Sequence, residues 1–298
     1  ALAYALSIFI SFLLLFTLFE KKTFSVLNKK LKAKFTNKKL LRYSLPLVFN
    51  SLTIMLIAWA DSLMLGFFKD TAMVGIYNVA DPTAKLILMF PTAFAALYLP
   101  LLAQVEKDKE QFKKVFFTTT KWVLIINTMA LAWIILYGKD LITLFFTETY
   151  IAAAGPLIIL IIGYFINGST YTARDILLLK DKTKLILKAT IVSGVSNVLL
   201  NFFLIPPFGM YGAAAATAIS LTILSLILFF GSYKKTKLNP FGKRAGAIIL
   251  LAGISAIATK SITSTLALKS TLLNIGLSFI LIVSINFSLI HITKILEK

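Results

Sequence analysis

Runs of about 20 apolar residues, separated by short polar turns, recur along the whole 298-residue chain. A helix of that length crosses a bilayer. The pattern predicts nine spans, at residues 1–19, 45–66, 75–103, 115–137, 151–176, 185–205, 210–231, 244–262 and 270–291. A membrane β-barrel would show alternating segments about ten residues long instead. The predicted fold is therefore all-α, a polytopic transmembrane helical bundle. Residues 138–150 are too short and too polar to cross. Leu141, Leu144 and Phe145 share a helical face there, which predicts a short interfacial helix.

The turns alternate in charge. Residues 20–44 carry nine basic side chains, from Lys21 to Arg42, and 104–114 carry Lys107, Lys109, Lys113 and Lys114. Residues 177–188 carry Lys180, Lys182, Lys184 and Lys188, and 232–244 carry Lys234, Lys235, Lys237, Lys243 and Arg244. The intervening turns are poor in basic residues. Positive loops stay in the cytoplasm, so these four loops and the C-terminus are expected there, and residues 138–150 outside. The formal charge of +19 is thus a topology signal, and nucleic acid is not an expected partner. The loop at 20–44 suits a tether near anionic membrane lipid, a linker between lobes, or both. The chain opens Ala1-Leu2-Ala3 inside an apolar run, without the basic n-region of a signal peptide. It reads as beginning within a transmembrane helix, as the C-terminal part of a longer protein.

Polar residues inside the spans carry the candidate chemistry. Asp61, Asp81 and Lys85 lie in or at the edge of apolar spans, where a mid-membrane charge costs roughly 2.5–3.5 kcal/mol. Asn50, Thr53 and Asp61 fall in one ~80° sector of a helix. Tyr164, Asn167, Tyr171 and Arg174 form a second stripe, and Thr190, Ser193, Asn197 and Asn201 a third. Such stripes bond helix to helix or line an aqueous cavity. Arg174 faces a cavity or snorkels to the interface, with Asp175 turned toward another helix. Asp81-Pro82 reads as a helix start, with Lys85 snorkelling outward. If the helix starts near Val74, Lys85 instead lies deep in the span, one turn from Asp81. Pro82, Pro91 and Pro100 are expected to break or kink this span, a feature of transporter helices.

Cysteine is absent and His291 is the single histidine, so no thiolate or histidine metal site is expected. P-loop, dinucleotide-binding and HExxH motifs are absent too. No cofactor is expected, and no catalytic constellation is present.

One resemblance covers nearly the whole chain, most clearly residues 40–232. Ala60-Asp61-Ser62-Leu63-Met64-Leu65-Gly66, Val74-Gly75-Ile76-Tyr77 and Tyr98-Leu99-Pro100 before a basic loop resemble the second lobe of oligosaccharide flippases. Leu204-Ile205-Pro206 and Phe208 to Thr217 do the same. The resemblance is to the polysaccharide export branch of the multidrug/oligosaccharidyl-lipid/polysaccharide (MOP) superfamily. It implies a two-lobe transporter. Residues 1–19 would be the last helix of the first lobe and 20–44 a cytoplasmic linker. Residues 45–231 would form the second six-helix lobe, and 232–298 two additional helices. It further implies a non-enzymatic flippase of the cell membrane, moving a lipid-linked oligosaccharide from the inner to the outer leaflet by alternating access. For a polyprenyl-diphosphate sugar, Lys85 and Arg174 are the candidate anion ligands. Tyr164, Asn167, Tyr171, Asn197 and Asn201 are the candidate sugar ligands. Asp61 and Asp81 are the candidate sites for a coupling proton or sodium ion. The alternatives are a cation-coupled multidrug exporter of the same superfamily and a membrane-embedded polysaccharide polymerase or glycosyltransferase.

Overall fold

The computed structural model describes residues 2–22, 37–239, 241, 243–266 and 270–293. All regular structure among them is helical. Two compact units are present, Ala1–Arg42 and Tyr43–Lys298. The first contains α1 (Leu2–Lys22), whose apolar stretch Leu6–Leu18 is mostly exposed. Residues 23–36, the middle of the expected linker, lie outside the described residues.

Eight helical stretches among the described residues are long and apolar enough to cross a membrane. They coincide with the last eight predicted spans. The helix α2 (Asn37–Phe68) enters the second unit at Tyr43. It is followed by α3 (Thr71–Lys85) and α4 (Met89–Gln104), then by α5 (Lys109–Phe146). Next come α6 (Ala154–Ser169), α7 (Tyr171–Leu179), α8 (Thr183–Phe208) and α9 (Met210–Thr236). The chain closes with α10 (Lys243–Leu266) and α11 (Thr271–Ile292). Large apolar side chains such as Leu63, Phe67, Phe203 and Ile257 point outward. In water such a surface would aggregate, whereas in hydrocarbon it is the ordinary exterior. The chain is a multi-pass membrane protein.

Two spans are broken, and both breaks shape the site. A 3-10 turn, Leu86–Leu88, separates α3 from α4. Pro91 follows in the first turn of α4, where its missing N–H does little harm. Asp81 is not a helix cap, because α3 already starts at Asp70, whose Oδ1 accepts from the Met73 amide at 2.7 Å. Lys85 therefore lies about 20 Å along α3 at 1.5 Å per residue. Between α6 and α7, Thr170 interrupts the helix, its amide shared by the Ile166 and Asn167 carbonyls.

The expected interfacial helix at 138–150 does not exist as a separate element. Residues 138–146 complete α5, and a 3-10 segment, Glu148–Ala153, follows. Gly138 lets α5 lie against Leu157, and Leu141 and Ile142 are buried in the main apolar core. Tertiary packing overrides the amphipathic signal there.

The main core joins α3, α5, α6 and α9. Small residues set its tightest contacts. A Cβ on Gly163 of α6 would stand 2.5 Å from the Ala218 Cα of α9. One on Gly212 would stand 2.1 Å from the Leu204 carbonyl oxygen of α8. Close backbone approach of this kind drives packing in membranes, where the hydrophobic effect between helices is absent. Ala213, Ala214 and Ala216 are fully buried in the same run. Ala216→Leu is expected to destabilise the protein by about 1–3 kcal/mol through overpacking. The check is monodisperse yield in detergent and the thermal midpoint, and an unchanged midpoint would place this run outside the core.

The α10–α11 pair docks on α5. Trp133 Nε1 donates to Ser278 Oγ at 3.0 Å, and Tyr137 and Thr263 hydroxyls meet at 2.7 Å. These are the interhelical bonds by which polar residues join helices in lipid, each contributing about 0.6 kcal/mol.

Candidate functional site

Six helices converge on one cavity of about 270 Å³. The α2 helix contributes Asn50 and Asp61, and α3 contributes Asp81 and Lys85. From α6 and α7 come Tyr164, Asn167, Tyr171 and Arg174, from α8 Thr190 and Ser193, and from α9 Thr217 and Ser220. Ile54, Ile57, Leu224 and Leu228 supply apolar wall. Each of the three stripes thus contributes residues to one space.

Asp61 lines the cavity at 6% exposed, with four donors around its carboxylate. Tyr77 Oη and Thr217 Oγ1 donate to Oδ2 at 2.6 and 2.5 Å, and Asn197 and Asn201 Nδ2 to Oδ1 at 3.2 and 2.6 Å. These donors come from α3, α8 and α9. A buried carboxylate without them would bear a large desolvation penalty. Asn197 and Asn201 are fully buried and do not line the cavity. The structure therefore places them as partners of Asp61 rather than on the wall. Asn197 Nδ2 also reaches Thr217 Oγ1 at 3.1 Å, and Asn201 Nδ2 reaches Asn197 Oδ1 at 3.2 Å. The Asn201 Oδ1 atom is buried without a protein partner.

Asp81 and Lys85 form an ion pair at 2.5 Å across one turn of α3. Tyr164 Oη donates to the other Asp81 oxygen at 2.7 Å, and Lys85 Nζ stands 5.9 Å from the Tyr164 ring centre. The Lys85 side chain is 41% exposed and that of Asp81 14%. Lys85 therefore reaches the cavity but is engaged there. Arg174 differs. Its guanidinium meets Tyr171 Oη at 3.4 Å and lies 5.8 Å from the ring centre. The ion pairs among the described residues are Lys85–Asp81, Lys113–Glu110 and Lys180–Glu106. Arg174 thus faces the cavity without a carboxylate partner there. Asn167 lines the wall and touches Ser225 Oγ at 3.4 Å.

Tyr77 and Thr217 were not among the sequence-derived site residues. Tyr77 reads as helix entry and Thr217 as the end of a small-residue packing run. Their signal is position: Tyr77 lies one turn from Asp81, and Thr217 one turn from the buried Ala213. Thr53 shares a sector with Asp61 but packs its methyl toward Gly194 and bonds the Phe49 carbonyl.

The helix order is one found in solved structures. The chain superposes on the lipid II flippase MurJ in an inward closed conformation, with a TM-score of 0.67 at 18% identity, over 89% of this chain and 57% of that one. A multidrug resistance MATE family transporter of the MOP superfamily, in an outward-facing conformation, gives a TM-score of 0.57 at 19% identity, over 76% of this chain and 54% of that one. The fold is that of MOP-superfamily transporters. The family model described as "Polysaccharide biosynthesis protein" matches residues 1–106. The probable flippase AglR of Haloferax volcanii is 26% identical over 210 residues, 67% of this chain and 43% of AglR. The chain therefore spans less than half the length of that relative. Along these stretches the chain is similar to polysaccharide flippases and their biosynthesis family.

Proposed function

We propose that the protein containing this chain moves a lipid-linked oligosaccharide, a sugar chain on a polyprenyl diphosphate, from the inner to the outer leaflet. The observation carrying the reading is the cavity wall on which Arg174 and Lys85 stand among Tyr164, Asn167 and Tyr171. Cations take the diphosphate, tyrosine faces and amides take sugars, and the apolar flank takes the lipid. Residues 1–19 close a first lobe, 20–44 link it to a second at 45–231, and 232–298 add two helices. The two lobes open alternately to either side. The protein is a transporter rather than an enzyme.

Asp61 is the coupling site in this reading, and Asp81 is the second candidate. The Asp61 carboxylate, the Thr217 hydroxyl and the partnerless Asn201 Oδ1 are hard oxygen donors, suited to a sodium ion or a proton rather than to a soft metal. Turning the two amides would present their oxygens beside the carboxylate.

The test uses the full-length protein in liposomes with a fluorescent polyprenyl-diphosphate oligosaccharide in one leaflet. Protein-dependent appearance of probe in the other leaflet is expected, with chain length unchanged. Probe elongation would indicate a polymerase. Export of cationic drugs without movement of this probe would indicate a multidrug exporter, the reading that a caged acid in the cavity also fits.

The charge pattern predicts that the loop at 20–44 and the C-terminus face the cytoplasm. With single cysteines at Asn28 or Thr147 of the full-length protein, an impermeant thiol reagent is expected to label Thr147→Cys on intact cells. Asn28→Cys should label only after lysis, and the opposite pattern would overturn the topology.

A further inference from the structure

The cavity uses Asp61 and Asp81 and leaves another buried acid, Asp175, unexplained. Asp175 follows Arg174 on α7, and neighbouring helix positions point about 100° apart. Arg174 lines the cavity, while Asp175 is absent from its wall and only 4% exposed. Asp175 Oδ2 is buried without a protein hydrogen-bond partner. Tyr98 of α4, 1% exposed, carries a hydroxyl that is likewise buried without a protein partner. Tyr98 packs in one buried cluster with Ile176, the residue that follows Asp175 on α7. A hydroxyl able to donate and a carboxyl able to accept thus belong to two packed helices, each atom without a bond. Native proteins leave few such pairs, and each calls for an explanation.

The other contacts sharpen the picture. The charged and titratable groups bearing on Asp175 are Arg174 from α7 and Tyr98 from α4. The other elements packed against α7 are α5, α6, α8 and α9, and the ion pairs among the described residues include none to Asp175. Arg174 turns its guanidinium to Tyr171 and the cavity, so Asp175 lacks a bonded counter-ion. An ionised carboxylate in such a place costs far more than the neutral acid. Moreover, α7 is a nine-residue segment set off from α6 at Thr170, so it can turn as a unit.

We propose that Asp175 and Tyr98 form a proton-binding site on a face of α7 turned away from the cavity, which takes up and releases a proton as α7 moves. In the present arrangement the proton taken from water rests on the Asp175 carboxyl. When it returns to water, the carboxylate accepts the Tyr98 hydroxyl instead. Making that bond turns α7 relative to α4, and Arg174, on the same short helix, moves with it. The proton site stands independently of the flippase reading. Only its effect on transport rests on that reading.

The experiment is infrared difference spectroscopy on the full-length protein in lipid, recorded between acid and alkaline buffer. A protonated-carboxyl C=O band is expected in the wild type, shifted in D2O, lost in Asp175→Asn and retained in Asp61→Asn and Asp81→Asn. In Tyr98→Phe the band should persist to a more alkaline pH, because the carboxylate has lost the hydroxyl it would accept. Equal bands in the wild type and Asp175→Asn would overturn the proposal. If Asp175→Asn does not fold, Tyr98→Phe decides: a band lost over the same pH range as in the wild type would overturn the pairing. In the liposome assay, Asp175→Asn should flatten the dependence of probe movement on pH. Should the wild type move no probe at all, the flippase reading fails while the carboxyl band still judges the proton site.

Discussion

Asp61→Asn in the full-length protein is expected to reach the membrane and to lose about 5- to 150-fold of its cation-stimulated transport, the usual range of a coupling energy. The geometry gives the reason. Four donors converge on the carboxylate, and an amide accepts through one oxygen only. Its Nδ2 would face hydroxyl or amide hydrogens, leaving a buried donor unpaired at about 1–3 kcal/mol. Asp61→Ala removes every acceptor and should cost more in stability. The informative measurement is the dependence of probe movement on sodium and on pH. If Asp61 couples a cation, the stimulated fraction disappears in Asp61→Asn while the basal rate survives. If the acid only holds α2 to α3, α8 and α9, the thermal midpoint falls and the dependence on cations keeps its shape. That second outcome would remove Asp61 from the mechanism and leave it a packing residue.

How much of this was legible beforehand depends on the kind of signal. Span positions follow from length and apolarity alone, and tertiary context had little to change in them. The stripes were legible because helical periodicity fixes which residues share a face, and Asn50, Asp61, Tyr164, Arg174 and Thr190 do share one cavity. Depth along that face was not legible. Asn197 and Asn201 lie on the stripe with Thr190 and Ser193, yet they sit behind the wall, bonded to Asp61. Which residues of a stripe touch solvent depends on how closely α9 approaches α8. That in turn rests on the space left by Gly212 and its neighbouring alanines. Tyr77 escaped notice for a related reason: a tyrosine near a helix start looks interfacial until the partner across the bundle is known. The Asp81–Lys85 pairing was readable, because a spacing of four fixes it locally. Residues 138–146 show the reverse case, where Gly138 and Leu157 decide the packing and an amphipathic pattern loses to it.

Arg174→Ala is expected to weaken binding of the diphosphate-linked cargo more than Lys85→Ala does, although both cations line the same wall. Lys85 already spends its charge on Asp81 at 2.5 Å, with Tyr164 on the other carboxylate oxygen. An incoming anion must compete with that pair. Among the described residues Arg174 is held by Tyr171 alone, at a long 3.4 Å, and its planar fork suits two phosphate oxygens at once. A hydrogen bond to a charged group contributes about 1.5–3 kcal/mol, so Arg174→Ala should raise the cargo Kd about 10- to 150-fold. Arg174→Lys keeps the charge without the fork and should recover part of the loss. For Lys85 the pairing predicts non-additivity. Asp81→Ala exposes an unpaired Lys85 and should tighten anion binding, whereas Asp81→Ala with Lys85→Ala should do no more harm than the worse single change. The measurement is binding of a short polyprenyl-diphosphate sugar to the full-length protein, titrated across ionic strength. Unaltered binding by Arg174→Ala and Lys85→Ala alike would remove the anion-recognition role from this wall. A larger loss from Lys85→Ala than from Arg174→Ala would mean that the Asp81 pair opens on binding and that Lys85 is the principal anchor.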